Sequence, residues 1–281
     1  MKKLFPLILL LSACVPIEQI PEENPYTPTV THPADLYAML GSANTQSRRD
    51  AVRSFTNAMR LRGAVITNDM IPPLVRAAQD DDDQVRLYAL SGLEILSEAE
   101  DTRIQHKKFT AILNNDERMY RVVLRAVEDE NAQTRLRAVS VMSRAFHERL
   151  ATEDILNRRI PFERDPRVRT AIIAGLARAP YHHKQTLLHL RNALQGPDTT
   201  MRDRVGRRLA QLRDLQSLKI IVAFLRAPNT RLRTDLWNVV GQFKSAATPY
   251  LAELNIARAG VTDPTEAAVA DAALRTIKRG D

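Results

Sequence analysis

Apolar residues recur along most of the chain with the spacing of one face of a helix. Around Arg86, apolar residues stand one position before the arginine and three and seven positions after it, at Val85, Ala89 and Leu93. Positions with this spacing lie on one side of an α-helix. Asp82 precedes the arginine by four positions, where its side chain can cap the first turn. The pattern therefore predicts an amphipathic helix that begins just after Asp82.

The same pattern, an Asp or Asn followed four positions later by an Arg, occurs repeatedly. The pairs are Asn44 and Arg48, Asp82 and Arg86, Asn131 and Arg135, Asp165 and Arg169, Asp198 and Arg202, and Asn229 and Arg233. A further copy begins at Asp263 and has Ala267 in place of the arginine. Second apolar segments lie between copies, for example at residues 120–127 and 187–194. Each copy therefore predicts two antiparallel helices. Because one pair cannot bury both of its faces, the pairs must stack, giving about seven units.

These units resemble HEAT repeats, in particular those of bacterial HEAT-like proteins and of phycobilin lyases. Residues 82–90 and 165–169 carry the match, and the resemblance covers residues 34–281. It implies an all-α fold, a right-handed α–α superhelix of helical hairpins, in which the motif Asp or Asn and Arg form a hydrogen-bonded structural ladder. The residues of this implied ladder are Asp82, Arg86, Asn131, Arg135, Asp165, Arg169, Asp198, Arg202, Asn229 and Arg233.

The chain departs from a regular repeat in two places. The second and third copies are 49 residues apart, which predicts an insert at about residues 97–118. The last copy lacks the arginine, as a terminal unit that caps a solenoid can. Trp237 occupies a position that is apolar in the other copies, so we expect it in the core.

The first residues have the pattern of a bacterial secretion signal. Two lysines precede an apolar run at residues 4–11, which is too short for a bilayer span of about 20 residues, and no later segment is apolar enough to span. The run ends in Leu-Ser-Ala-Cys at residues 11–14, which resembles the lipobox of bacterial lipoproteins. The resemblance implies that residues 1–13 are a signal peptide and that Cys14 carries lipid. Val15 after it implies the outer membrane, facing the periplasm. The alternative is a free cysteine after an ordinary signal peptide.

The segment after Cys14 is rich in proline. It contains Pro16, Pro21, Pro25, Pro28 and Pro33. Prolines at this density exclude a helix and favour an extended chain. We therefore expect residues 14–33 to tether the repeat domain to the membrane. An ordered arm packed on the domain is the alternative.

Charge is distributed unevenly along the chain. Residues 15–100 contain 13 acids and 7 Lys or Arg, a net charge of −6, whereas residues 101–281 contain 20 acids and 32 Lys or Arg, a net charge of +12. Such a basic region favours an anionic partner. Two arginine clusters are the candidate binding residues: Arg204, Arg207, Arg208 and Arg213, and Arg158 and Arg159. Arg204 and Arg208 are predicted to share a helix face. The alternative is a solvated surface whose arginines are partly paired.

The sequence contains no set of residues that points to catalysis, so we predict that the protein is not an enzyme. The one cysteine is assigned to the lipobox, and no phosphate-binding glycine loop or serine-nucleophile turn occurs. His182, His183 and His189 lie near one another without the spacing of a metal site. We predict no metal and no cofactor.

Two functional hypotheses follow. The first is a membrane-anchored periplasmic lipoprotein whose repeat surface serves as an interaction scaffold or assembly factor for a protein partner. The second is binding of an anionic ligand through the arginine clusters, either lipopolysaccharide, phospholipid or nucleic acid. Nucleic acid is the least favoured of these because the aromatic residues typical of single-strand binding are not interleaved with the arginines.

Overall fold

A computed structural model of the chain describes residues 30–61, 67–98, 116–180, 183–226 and 233–280. These residues form α-helices, short 3-10 segments and turns, without a strand. The helices are α1 (Pro33–Met39), α2 (Thr45–Arg60), α3 (Ile71–Ala77), α4 (Asp83–Glu98), α5 (Glu117–Ala126), α6 (Ala132–Ala145), α7 (Leu150–Arg159), α8 (Pro166–Leu176), α9 (Lys184–Leu194), α10 (Thr199–Gln211), α11 (Leu215–Arg226), α12 (Arg233–Gln242), α13 (Leu251–Ala259) and α14 (Pro264–Arg279).

The helices of the described ranges make seven consecutive pairs, which confirms the predicted all-α repeat superhelix. The second helix of each pair carries the repeat motif and packs on the second helix of the next pair. We call these second helices, α2, α4, α6, α8, α10, α12 and α14, the motif helices. The first helices of the pairs are the leading helices. One continuous apolar core runs through all the pairs.

Several predicted features lie outside the described residues. These are the signal peptide, Cys14, the tether up to residue 29, Asn229 and residues 99–115 of the insert. The folded domain begins slightly before the predicted boundary at residue 34. Val30 is buried, and its backbone N–H donates to Ser54 Oγ at 3.0 Å, while α1 begins at Pro33.

The Asp or Asn of the motif caps its helix, as the sequence predicts. In six copies the side-chain oxygen accepts from a backbone N–H of the first turn, which satisfies a donor that the helix itself cannot. The six capping residues are Asn44, Asp82, Asn131, Asp165, Asp198 and Asp263.

Packing between motif helices is tight enough to require a small residue at one contact. Gly206 in α10 faces Val239 in α12, and a β-carbon on Gly206 would lie 2.5 Å from the valine Cγ2. Protein interiors are close-packed, so any larger side chain would force the two helices apart.

The motif arginines join each unit to the next one. Arg48 donates from Nε and Nη2 to both carboxylate oxygens of Asp80, at 2.8 and 2.9 Å. Arg86 Nε donates to Asp129 Oδ2 at 2.8 Å. Asp80 and Asp129 stand two positions before the capping residue of the following unit. These arginines form rungs of a ladder across units, because each of them reaches forward to an acid of the next repeat.

This arrangement corrects the implied pairing between the Asp or Asn and the Arg of the motifs. Asp82 accepts from Arg49 of the preceding unit and not from Arg86. The Arg49 hydrogen bond lowers the pKa of Asp82 to about 2. Asp165 pairs with Arg167, and that hydrogen bond lowers its pKa to about 2 as well. The acids that accept from the motif arginines Arg48, Arg86 and Arg135 are therefore Asp80, Asp129 and Glu163, which stand two positions before the capping residues.

The most buried rung of the ladder joins Arg135 to Glu163. Arg135 donates from Nε and Nη2 to the two Glu163 oxygens, both at 2.8 Å, and from Nη1 to the carbonyls of Asp129 and Glu130. The Glu163 side chain is 0% exposed. Burial raises the pKa of Glu163, but hydrogen bonds from Arg135, the Asp165 amide and Arg159 outweigh it and hold that pKa at about 2.

The ladder is interrupted after the fourth unit. Arg169 Nη2 donates to the carbonyls of Glu163 and Arg164, at 3.0 and 3.4 Å. Gly196 stands two positions before the capping Asp198, where the preceding units have Asp80, Asp129 or Glu163. No described carboxylate lies within 4 Å of Arg169. The next motif arginine, Arg202, is only 1% exposed and donates from Nη1 to the Gly196 carbonyl. Its nearest described carboxylate, on Asp235, lies 3.9 Å from Nη2.

The final unit closes the ladder with a different acid. Arg233 Nε donates to Glu266 Oε1 at 2.6 Å, next to the position where Ala267 replaces the arginine. The same oxygen accepts from Trp237 Nε1 at 3.2 Å. Trp237 is fully buried, which confirms its predicted core position. The last helix, α14, therefore receives a rung without providing one, as expected of a terminal unit.

We predict that Glu163→Gln lowers the free energy of unfolding by about 3 kcal/mol near neutral pH, because Arg135 loses its buried counter-charge. Since the folded pKa of Glu163, about 2, lies below its ordinary value of 4.5, its stabilisation is present above pH 4.5. It is lost as the pH falls from about 4.5 through about 2. In urea denaturation across this pH range, the free energy of unfolding should change less with pH for the variant than for the unmodified protein.

The matched control is Asp203→Asn, which removes the acid of the solvent-exposed pair with Arg207. It should leave the free energy of unfolding nearly unchanged. Equal losses in the two variants would contradict a special role for the buried rung.

Candidate binding groove

The predicted cluster of Arg158 and Arg159 is partly neutralised within the described structure. Arg159 pairs with Glu128 at 2.7 Å and with the ladder acid Glu163 at 3.1 Å. Arg158, one position before it, is exposed and has no described carboxylate within 4 Å. The two neighbours therefore have different roles, because Arg159 supports the ladder and Arg158 faces solvent.

The other predicted cluster does not form one basic face. Its members are Arg204, Arg207, Arg208 and Arg213. Arg207 pairs with Asp203 one turn before it. Arg208 is half-buried, and its Nη2 donates to the Ala179 carbonyl at 2.5 Å. Burial lowers the pKa of Arg208. Arg204 and Arg213 are exposed. Arg204 and Arg208 lie four residues apart in α10, as predicted, but the Arg208 guanidinium bonds to the fourth unit while Arg204 is exposed.

The structure instead contains a groove beside Arg158. It lies between α7, the 3-10 turn that follows α7, and the start of α9, and it has a volume of about 720 Å³. Its walls combine charged, polar and aromatic side chains. The lining residues are Asp154, Asn157, Arg158, Pro161, Phe162, His183 and Gln185. We call this the Phe162 groove.

Phe162 is 75% exposed, the largest exposure among the big apolar side chains of the described residues. Its neighbours hold the backbone in place. Ile160 packs against the core, and Glu163 is buried in the ladder with its N–H bonded to the Arg159 carbonyl at 3.1 Å. The aromatic ring is therefore presented to solvent by a well-anchored turn.

A chain of buried hydrogen bonds supports the groove from below. Thr186 donates its hydroxyl to Glu153 Oε1, which also accepts the His183 backbone N–H at 2.9 Å. Asn157 Nδ2 donates to Thr186 Oγ1 at 2.7 Å. These interactions join α7 to α9 and fix the positions of Asn157 and His183 in the groove wall. Glu153 is completely buried, and the network satisfies its Oε1, while its Oε2 has no hydrogen-bond partner among the described residues.

The groove rim carries both signs of charge. His183 Nε2 lies 3.7 Å from Asp154 Oδ1 and 4.0 Å from Glu153 Oε2. Arg158, four residues after Asp154 on α7, supplies a positive charge. An exposed aromatic ring with polar groups around it is the composition of a binding hot spot.

Sequence reasoning identified Arg158 but not the aromatic residue beside it. The available signal was the Ile-Pro-Phe sequence at residues 160–162, which places a large apolar residue in a polar turn just before the capping Asp165. Asn157 and Gln185 carried no such signal, because their proximity depends on the stacking of α7 against α9.

Within the part of the chain that the structure describes, no three His, Cys, Asp or Glu side chains come together in a way that could hold a metal ion. His189 bonds to Gln185 Nε2 at 3.2 Å, and burial lowers its pKa. His182 lies outside the described residues. None of the described helices is long and apolar enough to cross a membrane.

Comparison with known proteins identifies a fold and no family. No family model and no curated protein matches the chain. The chain is similar to an engineered protein of known structure, with 14% identity, 88% of this chain and 68% of that chain covered, and a TM-score of 0.61. It is also similar to an archaeal HEAT-like repeats protein from Thermococcus onnurineus NA1, with 13% identity, coverages of 89% and 98%, and a TM-score of 0.53.

A further similar structure is a computationally designed armadillo repeat protein, with 14% identity, coverages of 87% and 99%, and a TM-score of 0.50. At these identities the likeness concerns the fold alone. It confirms the HEAT-like solenoid architecture that the repeats predict.

We predict that Thr186→Val destabilises the protein by about 1–3 kcal/mol, because Glu153 loses a buried donor and Asn157 loses its acceptor. Valine has nearly the same shape, so packing changes little. Thr170→Val, at an exposed position of α8, is the control and should have almost no effect. Urea denaturation of both variants makes the comparison. Identical free energies of unfolding would contradict the support that the network provides.

Proposed function

We propose that this protein is a lipoprotein of the bacterial outer membrane that faces the periplasm and serves as a binding scaffold for a protein partner. Cys14 provides the lipid anchor, and the proline-rich segment at residues 14–33 separates the folded domain from the membrane. The anchor is supported by the lipobox-like sequence at residues 11–14. A chain bearing more than one acyl group binds a bilayer stably, since each buried methylene contributes about 0.8 kcal/mol.

The observation that carries the binding function is the exposed ring of Phe162 in its groove. Exposing an aromatic side chain of this size is unfavourable in water, and the anchored turn prevents it from folding inward. A partner that covers the ring would gain apolar burial without ordering a flexible loop. Leu188, which is also exposed, lies one turn from Gln185 on α9 and extends the apolar surface next to the groove.

The similarity to a repeat protein designed for modular peptide recognition supports this proposal. Solenoids of this kind present extended surfaces that suit peptides and protein segments. The function is binding and not catalysis, in keeping with the sequence.

The anionic-ligand alternative depends on the two predicted arginine clusters. Among the described residues, Arg158, Arg204, Arg208 and Arg213 are the cluster members without a carboxylate within 4 Å. Arg208 is half-buried and donates to the Ala179 carbonyl. Arg158 belongs to α7, whereas the others lie on or after α10. Scattered charges of this kind make a weaker site for lipopolysaccharide, phospholipid or nucleic acid than a continuous basic face would.

Cross-linking in native membranes tests the scaffold proposal. A photo-reactive phenylalanine at position 162 should form an adduct with one protein that is recovered reproducibly. The same group at the exposed Asn238 of α12 is the control and should not. Phe162→Ala should leave thermal unfolding unchanged and weaken recovery of that protein about tenfold or more. Failure to recover an adduct at position 162, or identical adducts at both positions, would exclude the Phe162 groove as the site.

The anchor has a separate test. Cys14→Ser should shift the protein from the membrane fraction to the soluble periplasmic fraction, because the thiol that carries the lipid is missing. Cys14→Ser protein that stays with the membrane after a high-salt wash would show that another part of the chain attaches it.

A further inference from the structure

A second groove, formed by the leading helices of the first three pairs, is lined by four arginines. It lies between α1, α3 and α5 and has a volume of about 380 Å³. Arg118, Arg121 and Arg125 come from α5, and Arg76 comes from α3. We call this the arginine groove. Neither of the arginine clusters predicted from the sequence contributes to it.

The four guanidinium groups are poorly neutralised by the described residues. Arg118 lies 3.7 Å from Asp116, and Arg121 lies 4.0 Å from Glu117, with both arginines largely exposed. Exposed pairs at such distances contribute little binding energy. Asp116 also caps α5 by accepting the N–H groups of Arg118 and Met119. Arg76 and Arg125 have no described carboxylate within 4 Å.

The arginines are arranged to receive carboxylates. Arg118, Arg121 and Arg125 are three and four residues apart, so they share one face of α5, where like charges repel one another unless a counter-charge is present. Arg121 and Arg125 are separated by about 6 Å along the helix axis. Alternate side chains of an extended peptide are about 6.6 Å apart. Acids at alternate positions of such a peptide therefore match the spacing of these two arginines.

The groove also has an apolar floor and an aromatic wall. Val75 and Val122 are buried beneath it, and Pro72 lies at its edge. The Arg76 guanidinium stacks 4.7 Å from the centre of the Tyr37 ring, which is 50% exposed. Stacking holds the guanidinium plane while its N–H donors stay available at the edge. A bare phosphate would use the arginines and leave the apolar floor uncovered.

We propose that the arginine groove binds an extended acidic segment of a partner protein, with carboxylates on the α5 arginines and an intervening apolar side chain on the valine floor. This inference names a partner class for the proposed scaffold and rests on the proposed function only in taking the partner to be a protein. Bidentate hydrogen bonds from arginine to carboxylate supply the specificity.

The test uses the purified full chain in detergent and a short fluorescent peptide of alternating glutamate and leucine. We expect the peptide to bind, with affinity that falls as salt rises. The double variant Arg121→Glu, Arg125→Glu should weaken binding at least about tenfold. The matched control, Arg204→Glu with Arg213→Glu, changes the net charge equally at exposed positions outside the groove and should leave the affinity unchanged. Thermal unfolding checks that both variants are folded.

Five results would overturn the proposal. Four of them are no binding of the peptide, equal loss in the control variant, equal binding of a peptide with glutamine in place of glutamate, and groove-dependent binding of phosphatidylglycerol vesicles in preference to the peptide. Binding that emerges only when Glu18, Glu22 and Glu23 are replaced by glutamine would assign the groove to the chain's own tether, and would also overturn it. None of these results bears on cross-linking at position 162, so the two proposals fail separately.

Discussion

The stack of helical pairs depends on arginines that are bonded in two units at once. Arg135 donates to two carbonyls of its own turn and to both oxygens of Glu163 in the next unit. A guanidinium buried at such a junction is strongly unfavourable unless every donor finds an acceptor, so the following unit must dock in one register to provide the acid. Apolar packing alone would tolerate small shifts between helices, whereas this rung does not. Where its rungs are present, the ladder fixes the register between units, and the core supplies most of the burial energy.

The interruption of the ladder coincides with the Phe162 groove. Gly196 stands where an acid would accept from Arg169, and α8 and α10 have fewer close approaches than other successive motif helices. On the leading side of the same junction, α7 and α9 leave space for the groove. Their connection is made instead by Glu153, Asn157 and Thr186. These hydrogen bonds form only while the two helices keep their spacing, so they support the width of the groove.

The two grooves lie on the leading helices and differ in chemistry. The arginine groove has an excess of positive charge above an apolar floor, whereas the Phe162 groove has an aromatic ring between charges of both signs. Motif helices are covered by their neighbours over much of their surface, and their charges are largely used in the ladder. Leading helices contact one another less, so their side chains are available for a partner. One extended partner, or two separate ones, could use the two sites.

Residue spacing was enough to predict the helical repeat, its number of units, the capping residues and the buried position of Trp237, because these depend on spacing within a single helix. The ladder acids Asp80, Asp129 and Glu163 were not identified, since each lies in a turn and meets its arginine only when units stack. Whether a surface arginine is buried, paired or exposed also depends on the tertiary structure. Arg208 turns inward and Arg159 is paired, while α3 and α5 bring Arg76 and Arg125 to one groove. Local periodicity specifies which helix face is apolar, but only packing decides which charges from separate units come within bonding distance.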